Sequence, residues 1–354
     1  MDNFDEYLRQ GEPNRAEKAK VWKTAIGLQQ VDGLKPSEYL IATAKQNIEG
    51  YISIEEVTQR INLYYQQHPS KTPEDRTEEA DKVSVRIVAI LGEQTFTFSP
   101  IEYLSIHRRL FQGVDKFAGK IRDYNISKQE WVLNGETVLY GSAESLKATL
   151  EYDFEQEKKF SYKGLSQQEV IEHIAYFISY LWQIHIFGEG NTRTTAIFLI
   201  KYLRKLGFKK VNNDLFAEHS WYFRNALVRA NYEDLSKGIN KTEKYLFQFL
   251  LNLLKNENYS LKNRELHVQY IDPVNLTNDP VKVVIDPVND PVKVQILQQL
   301  RQKQNANYTE IAEKTGYSNT TIKRHIQELK KLGLIERIGS DKTGYWKITE
   351  KTES

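Results

Sequence analysis

The sequence predicts a mainly α-helical protein with a small separate module of helices and strands at its C-terminal end. Two observations predict this class. Apolar residues recur at spacings of three and four over most of the first 258 residues, which is the period of helices that bury one face. From residue 272 onward, four Asp-Pro repeats interrupt the helical pattern. Because proline disfavours helix, the chain is expected to divide at this point.

The composition limits the classes of protein to which this chain can belong. With 354 residues, 40% of them apolar and 27% charged, it is long enough for two or three globular domains. It has no cysteine, which excludes disulfides, thiolate zinc sites and cysteine nucleophiles. No apolar run approaches the roughly 18 residues of a membrane span, and the opening MDNFDEYLRQG is too polar for a secretory signal. We therefore expect a cytoplasmic location and no contact with a membrane.

Four segments follow from the helical pattern and its interruption. Residues 1–75 are expected to form an N-terminal helical segment, and residues 76–258 a helical core. Residues 259–291 are expected to form an extended linker, because they contain the proline repeats. Residues 292–354 then form the C-terminal module.

The core contains one hairpin signal and two apolar helices that meet at a short loop. Asn134-Gly135 lies between two short apolar runs, which is the strongest short signal for a β-hairpin. Residues 170–184 carry the apolar spacing of a buried helix, and a second apolar helix follows. The loop between the two helices reads HIFGEGNTRTTA, residues 185–196.

The C-terminal module has the order of elements of a winged helix-turn-helix. Helices are expected at residues 292–303, 309–315 and 319–332, followed by two short strands around the sequence GSDKT. From residue 292 onward there are 12 Lys and Arg against 7 Asp and Glu, a net charge of +5. The basic charge of the chain therefore lies in this module.

DNA is one expected partner of this module. Thr321, Lys323 and Arg324 lie on its third helix, where a recognition helix contacts bases and phosphates. The alternative is a winged helix that binds protein.

The loop at residues 185–196 has the residue types that bind a nucleotide with its metal ion. Gly188 and Gly190 let the backbone approach a ligand, and the following helix presents free amides to an anion. Arg193 adds a cation whose geometry suits phosphate oxygens. Glu189 beside these groups indicates Mg²⁺, which binds carboxylates together with phosphate oxygens. His185 can take a proton near neutral pH, as a general base does, and a role in capping the helix is the alternative.

This loop resembles the motif of the Fic family, His-Pro-Phe-x-(Asp/Glu)-Gly-Asn-Gly-Arg-x-x-Arg. Six residues match the motif: His185, Phe187, Glu189, Gly190, Asn191 and Arg193. Four other segments are similar to Fic-core segments in the expected order: IHRRLF at 106–111, FAGKIRDYNIS at 117–127, the hairpin that ends in VLYG at 138–141, and WYFRNALVRAN at 221–231. The resemblance covers most of the core.

The resemblance implies transfer of AMP from ATP to a Tyr, Ser or Thr hydroxyl of a protein, this chain included. In this interpretation His185 deprotonates the hydroxyl and Glu189 holds Mg²⁺. The hairpin is then a flap whose residues dock the target protein as an added strand: Val138, Leu139, Tyr140 and Gly141. The phosphates are bound by Gly188, Gly190, Asn191, Thr192, Arg193 and Thr194. The base is surrounded by Trp221, Tyr222 and Asn231, for which a place in the helical core is the alternative.

Three positions depart from the motif. Ile186 replaces a proline, Thr192 replaces a glycine, and Ala196 replaces the final arginine, which orients the distal phosphates of ATP in the family. Relatives of the Doc type also lack this arginine and transfer the terminal phosphate, so phosphotransfer is an alternative function. A DNA-binding regulator whose Fic core only senses nucleotide is another. Whether the chain forms a homodimer is left open.

The N-terminal segment contains a candidate inhibitory helix. Many Fic proteins carry the pattern (Ser/Thr)-x-x-x-Glu-(Gly/Asn), whose glutamate pairs with the final motif arginine and blocks productive ATP binding. Glu49-Gly50 fits the end of this pattern, although Lys45 stands at its first position. We expect Glu49 to be inhibitory, and a solvated residue before a C-capping glycine is the alternative. Because Ala196 denies Glu49 its usual partner, Glu49 is expected to act through Arg193 or the backbone.

Overall fold

The computed structural model describes residues 4–69, 72, 75–208, 211–270, 291–315, 317–331, 334–339 and 344–348. The expected linker falls largely on residues 271–290, which lie outside the described residues. Helices dominate the described chain, and its only sheet has two strands, so the predicted mainly α class is confirmed. The α-helices are α1 (Asp5–Gln10), α2 (Pro13–Gly27), α3 (Glu38–Glu49), α4 (Ile54–Gln67), α5 (Thr77–Gly92), α6 (Pro100–Phe111), α7 (Leu146–Lys159), α8 (Gln167–Ile184), α9 (Asn191–Lys205), α10 (Asp214–Ala230), α11 (Lys244–Lys255), α12 (Pro291–Gln302), α13 (Tyr308–Thr315) and α14 (Asn319–Lys331), and the strands are β1 (Ile335–Ile338) and β2 (Tyr345–Ile348).

None of the described helices has the length and apolar character needed to cross a bilayer. The chain divides into two compact units. The first unit falls within residues 1–128 and 137–262. The second falls within residues 129–136 and 263–354. The tip of the expected flap therefore groups with the C-terminal residues.

Helix α9 lies at the centre of the first unit. Every residue from Asn191 to Leu203 is buried, and the helix packs against α5, α6 and α8. Helix α8 begins with a capping box, in which the Ser166 hydroxyl accepts from the Glu169 amide and the Glu169 carboxylate accepts from the Ser166 amide. The buried apolar face of α8 then extends to Ile184. Two well-packed helices therefore hold both ends of the loop that follows α8.

The N-terminal helices form a second cluster around Trp22, which is fully buried. Helix α2 packs against α5 and α10, which belong to the expected core. The Trp22 indole donates to the Asn47 side chain at 3.0 Å, which ties α2 to α3. Residues of the N-terminal segment therefore lie inside the first unit.

The expected β-hairpin forms its turn but not its strands. Asn134 and Gly135 both have positive φ, 57° and 89°, as the Asn-Gly signal predicts. Residues Trp131–Leu133 form a 3-10 turn instead of a strand, and the Glu130 amide donates across the turn to the Glu136 carbonyl at 2.9 Å. The Val268 amide donates to the Val132 carbonyl, so tertiary contacts replace a strand ladder here.

The second unit contains the predicted winged helix-turn-helix. Its buried core joins apolar residues of α12, α13, α14 and both strands: Ile296, Leu300, Ile311, Ile322, Ile326, Leu329, Ile335 and Trp346. The strands pair antiparallel, with Ile335 opposite Ile348. Residues 340–343, the tip of the expected wing, lie outside the described residues.

Candidate active site

His185 ends α8 in a conformation that few histidines adopt. Its backbone is left-handed, with φ 49° and ψ 52°, which stops the helix after Ile184 and turns the chain into the loop. The imidazole is 3% exposed and packs against the rings of Tyr140 and Trp182, with centroids 4.3 and 5.1 Å away. The helix end and the flap therefore enclose the candidate base from two sides.

The His185 side chain is held neutral. Burial is the largest cause of a pKa well below its ordinary range, and the positive charges of Lys128 and Arg224 lower this pKa further. The Nδ1 atom is buried and has no hydrogen-bond partner among the described residues. A neutral imidazole can accept a proton from a bound hydroxyl.

Asn191 and His107 hold the loop in shape. The Asn191 side chain donates to the Phe187 carbonyl at 2.8 Å and accepts from the Phe187 amide at 3.1 Å. His107 stacks on the Phe187 ring, with centroids 3.7 Å apart. Its Nδ1 accepts from the Gly119 amide, so its Nε2 carries the proton and donates to the Glu189 carbonyl at 3.0 Å. The side-chain amide of Asn191 therefore forms its hydrogen bonds within the loop, a role that the sequence did not indicate.

Gly190 is required where α9 begins. Its φ is 72°, and a Cβ atom would lie 2.4 Å from the Phe111 ring. As the N-cap residue it supplies no side chain to the first turn of α9, and the first hydrogen bond runs from the Thr194 amide to the Gly190 carbonyl. The backbone amides of α9 before Thr194 have no partner within the helix, and such a helix terminus binds anions.

Glu189 is the candidate metal ligand. Its side chain is 63% exposed, and the Lys128 ammonium lies 3.6 Å from its carboxylate. The described residues contain no cluster of three or more side chains that could hold a metal ion. A single exposed carboxylate nevertheless fits Mg²⁺, which usually keeps several waters and binds through one or two carboxylates plus substrate phosphates.

Arg193 is fully buried and paired with two acids. Its Nη2 atom lies 2.8 Å from both Asp32 and Glu79, and its Nη1 donates to Gln29 at 2.9 Å. Its guanidinium carbon lies 4.7 Å from the centroid of the Phe111 ring. Burial alone would raise the pKa values of Asp32 and Glu79, but Arg193 and Arg76 outweigh it and hold both below their ordinary range. The candidate phosphate ligand is therefore occupied by carboxylates in this structure.

The side chains of the flap residues next to His185 alternate between buried and exposed. Val138 and Tyr140 are buried, whereas the Leu139 side chain between them is 85% exposed. The Gln183 side chain donates to the Leu139 carbonyl at 3.0 Å, and the Gly141 amide lies 3.4 Å from the Gln183 carbonyl. These two hydrogen bonds to Gln183 fix the short segment to the end of α8.

Comparison with known families agrees with this geometry. Residues 97–203, which include α6, α8 and the loop, match the model of the Fic/DOC family. The chain carries a Fic/DOC family domain. Residues 289–336 match a family described as winged helix-turn-helix DNA-binding. Both families predicted from the sequence are confirmed.

Two known proteins are similar to this chain. Protein adenylyltransferase VbhT of Bartonella schoenbuchensis is 27% identical over 155 residues, which are 38% of this chain and 31% of VbhT. The chain thus matches about a third of the length of that relative. The crystal structure of a Fic family protein from Desulfovibrio desulfuricans G20 aligns with 100% of this chain and 94% of its own, at 12% identity and a TM-score of 0.42.

The inhibitory candidate Glu49 is not among the acids that pair with the Fic motif arginine in the described residues. Its carboxylate is 3.0 Å from Arg15 of α2. Gly50 follows in the left-handed conformation, and Gly33 does the same after Asp32. Asp32-Gly33 is thus a second pair of an acid and a glycine at a helix end. Of the two acids, Asp32 is the one that contacts Arg193.

The residues expected around the base are buried in the first unit. Tyr222 is fully buried, and its hydroxyl lies 3.5 Å from the Tyr245 carbonyl. The Asn231 amide donates to the Ser179 and Leu227 carbonyls. Trp221 is 7% exposed and has the Arg224 guanidinium 5.4 Å from its ring centroid. Of the three, Trp221 retains the most exposure.

The threonines and alanine that depart from or flank the Fic motif are also buried. The Thr192 hydroxyl accepts from the Trp182 indole at 3.0 Å. The Thr194 hydroxyl has no hydrogen-bond partner among the described residues. Ala196 is fully buried within α9.

The candidate DNA-reading residues lie on α14 of the winged helix. Lys323 and Arg324 are exposed, and Thr321 is half-buried, with its hydroxyl 2.9 Å from that of Ser318. Ile322, Ile326 and Leu329 face the core of the module. The exposed and buried faces of α14 therefore separate as in a helix that presents one face to a partner.

Proposed function

We propose that the Fic domain transfers AMP from ATP to a hydroxyl side chain of a protein. The observation that carries this proposal is the neutral, buried imidazole of His185, held between the flap and the loop that leads into α9. The name of the similar Bartonella protein, a protein adenylyltransferase, supports the same reaction. The substrate is ATP, and the acceptor is Tyr, Ser or Thr.

In the proposed reaction His185 accepts the proton of the target hydroxyl. The hydroxyl oxygen forms a bond to the α-phosphorus of ATP, and the bond from this phosphorus to the bridging oxygen breaks. Pyrophosphate leaves, and the target protein retains AMP. Because His185 is neutral before the reaction, it needs no prior deprotonation.

The phosphates are expected to bind where α9 begins. The backbone of Gly188 and Gly190 and the amides of Asn191 and Thr192 offer hydrogen-bond donors to an anion. Thr194 is buried behind them. Glu189 would hold Mg²⁺, which would neutralise charge on the phosphates as pyrophosphate leaves. Arg193 can take part only after it leaves Asp32 and Glu79.

The target protein is expected to bind along residues 138–141. A segment whose side chains alternate between buried and exposed can pair with a target strand through its backbone, as in β-augmentation. Such pairing would place a target hydroxyl near the His185 ring, which contacts Tyr140.

The role of His185 is tested by His185→Ala with His68→Ala as a matched control at an exposed histidine. A general base contributes roughly 10²- to 10⁴-fold in rate, so His185→Ala should nearly abolish transfer of label from ATP while nucleotide binding persists. His68→Ala should transfer at the wild-type rate. A His185→Ala rate close to that of wild type would exclude His185 as the base.

One observation favours phosphate transfer as a second candidate. The motif position that normally carries an arginine is Ala196, which is fully buried and brings no cation toward the distal phosphates. Without that cation, ATP could bind with its terminal phosphate next to the target hydroxyl. The position of the label in ATP that reaches protein distinguishes the two reactions.

For the second unit we propose binding to DNA through α14. The winged helix-turn-helix match and the exposed Lys323 and Arg324 support it. Thr321 would lie on the same helix beside the bases. If the Fic domain transferred nothing, this unit would favour a regulator that senses nucleotide.

A further inference from the structure

Arg122 lies between the end of α8 and the flap and is 5% exposed. Its Nε donates to the His185 carbonyl at 2.7 Å, and its Nη2 lies 3.5 Å from the Ile184 carbonyl. Its remaining donors bind the Tyr124 carbonyl and, on the flap, the Gly141 carbonyl. Its own backbone amide donates to the Ile186 carbonyl at 3.0 Å. One residue therefore holds the carbonyls on both sides of His185 and the flap as well.

These contacts stabilise the end of α8 in two ways. The last carbonyls of a helix have no partner within the helix and carry its negative partial charge. His185 adds a left-handed backbone, which costs on the order of 1–3 kcal/mol in a residue other than glycine. A buried cation that donates to these carbonyls compensates for both effects. Arginine suits the task because its planar fork offers five donors in fixed directions, whereas lysine is a compact charge.

We infer that Arg122 is the positioning residue that fixes the His185 imidazole against the flap. The inference rests on the proposed role of His185 as the base. Arg122 touches neither a phosphate-binding residue nor Glu189 in its described contacts, so it acts through the backbone at 184–186 and 141. When Arg122 is replaced, His185 and the flap lose their common support.

The flap contacts strengthen this assignment. Gln183 already binds the Leu139 and Gly141 backbone from the last turn of α8. A Cβ atom on Gly141 would lie 3.0 Å from the Ile184 carbonyl oxygen, so the two segments pack with little free space. Arg122 also joins these two segments, because it donates to the Gly141 carbonyl and to the His185 carbonyl. The position of the target hydroxyl and the position of the base are therefore set by one side chain.

The test compares Arg122→Lys and Arg122→Gln with Arg60→Gln, a control at an exposed arginine on α4. Three measurements are made on the full chain. They are the kinetics of transfer, which give kcat and KM for ATP, the rate at which diethyl pyrocarbonate modifies His185, followed by peptide mass spectrometry, and the melting temperature. Both Arg122 variants should lose on the order of 10²-fold in kcat, as for a misplaced reactive group, with little change in KM. His185 should be modified faster than in wild type. The control should match wild type in all three.

The outcomes separate this inference from the proposed function. If wild type transfers nothing, faster modification of His185 in Arg122→Lys still supports the positioning role, and an unchanged rate overturns it. If wild type is active, a wild-type kcat in Arg122→Lys overturns the inference, because the charge alone would then suffice. A lowered melting temperature with unchanged kcat and unchanged His185 modification also overturns it, since Arg122 would then serve only stability.

Discussion

At the scale of single residues, the candidate base is in the form that can accept a proton, whereas the candidate phosphate-binding arginine is already paired with acids. His185 is neutral and packs against the flap, whereas Arg193 is paired with Asp32 and Glu79. A phosphate that approached Arg193 would have to displace two carboxylates. We therefore propose that nucleotide binding at this site is restricted in this state. Two proposals for the inhibitory acid compete: Glu49, from the sequence pattern, and Asp32 with Glu79, from contact.

Asp32→Asn and Glu49→Gln distinguish these proposals. Asp32→Asn removes one negative charge from Arg193 while keeping the size of the side chain, so ATP should bind more tightly, by roughly fivefold or more. Glu49→Gln changes an acid whose ion pair is with Arg15, and it should bind ATP as wild type does. Isothermal titration of both variants and wild type with ATP provides the measurement. Tighter binding in Glu49→Gln alone would instead support Glu49.

The residues of the motif could be predicted from the sequence because they are contiguous. The partners of Arg193 could not, since Glu79 and Gln29 lie 114 and 164 positions away in the chain. The internal role of Asn191 was also missed, because its hydrogen bonds to Phe187 depend on the loop geometry. The glycine after Asp32 was the one local signal that could have pointed to this acid.

At the scale of elements, the loop depends on the helices around it. His107 of α6 donates to the Glu189 carbonyl and stacks on Phe187, so α6 supports the loop between α8 and α9. Burial is the main cause that lowers the pKa of His107 to about 4. The bond from the Gly119 amide to Nδ1 also requires this nitrogen to be unprotonated. The loop is therefore supported by a histidine that must stay neutral.

The pH dependence of stability should report this histidine. The unfolded chain binds a proton at His107 near pH 6.5, whereas the folded chain does so only at about pH 4, so stability falls as the pH drops between these values. From about pH 7 to about pH 5 this loss should amount to about 2 kcal/mol. In His107→Asn and His107→Phe the loss should be smaller by this amount, as measured by urea unfolding at the two pH values. An equal loss in all three proteins would mean that His107 is not the group that titrates.

The helices themselves were well predicted, because apolar residues at spacings of three and four need only one buried face. The hairpin was predicted less well. The Asn134-Gly135 turn formed as its residue types require, but Trp131 packs on His267 and Val132 bonds to Val268, residues more than a hundred positions later. A local strand signal cannot anticipate partners at that separation.

At the scale of the whole molecule, the chain combines a Fic domain with a winged helix-turn-helix. The C-terminal module is basic, at +5 from residue 292 onward, where Lys and Arg number 12 and Asp and Glu number 7. The order of its helices and strands was predictable from the sequence. Its ligand was not, since winged helices bind either nucleic acid or protein.

Salt dependence tests whether this unit binds DNA. Lys323→Ala should weaken binding to mixed duplexes regardless of sequence and reduce the slope of log affinity against log salt by about 1, because one phosphate contact is lost. The matched control is Lys303→Ala, at a lysine of the same unit that pairs with Glu310 away from α14. Binding that does not depend on salt, or no binding by wild type, would favour a protein partner for this surface.

We propose that the Fic domain moves AMP to protein, and following the label that reaches protein tests this claim. Full-length wild type, Asp32→Asn and His185→Ala would be incubated with Mg²⁺ and ATP labelled at the α or the γ phosphate, with a cell extract as the source of targets. We predict protein labelled from the α position only, more of it in Asp32→Asn, and almost none in His185→Ala. Label from the γ position alone would contradict the claim and make the domain a phosphotransferase, and no label from either position would leave nucleotide sensing as its function.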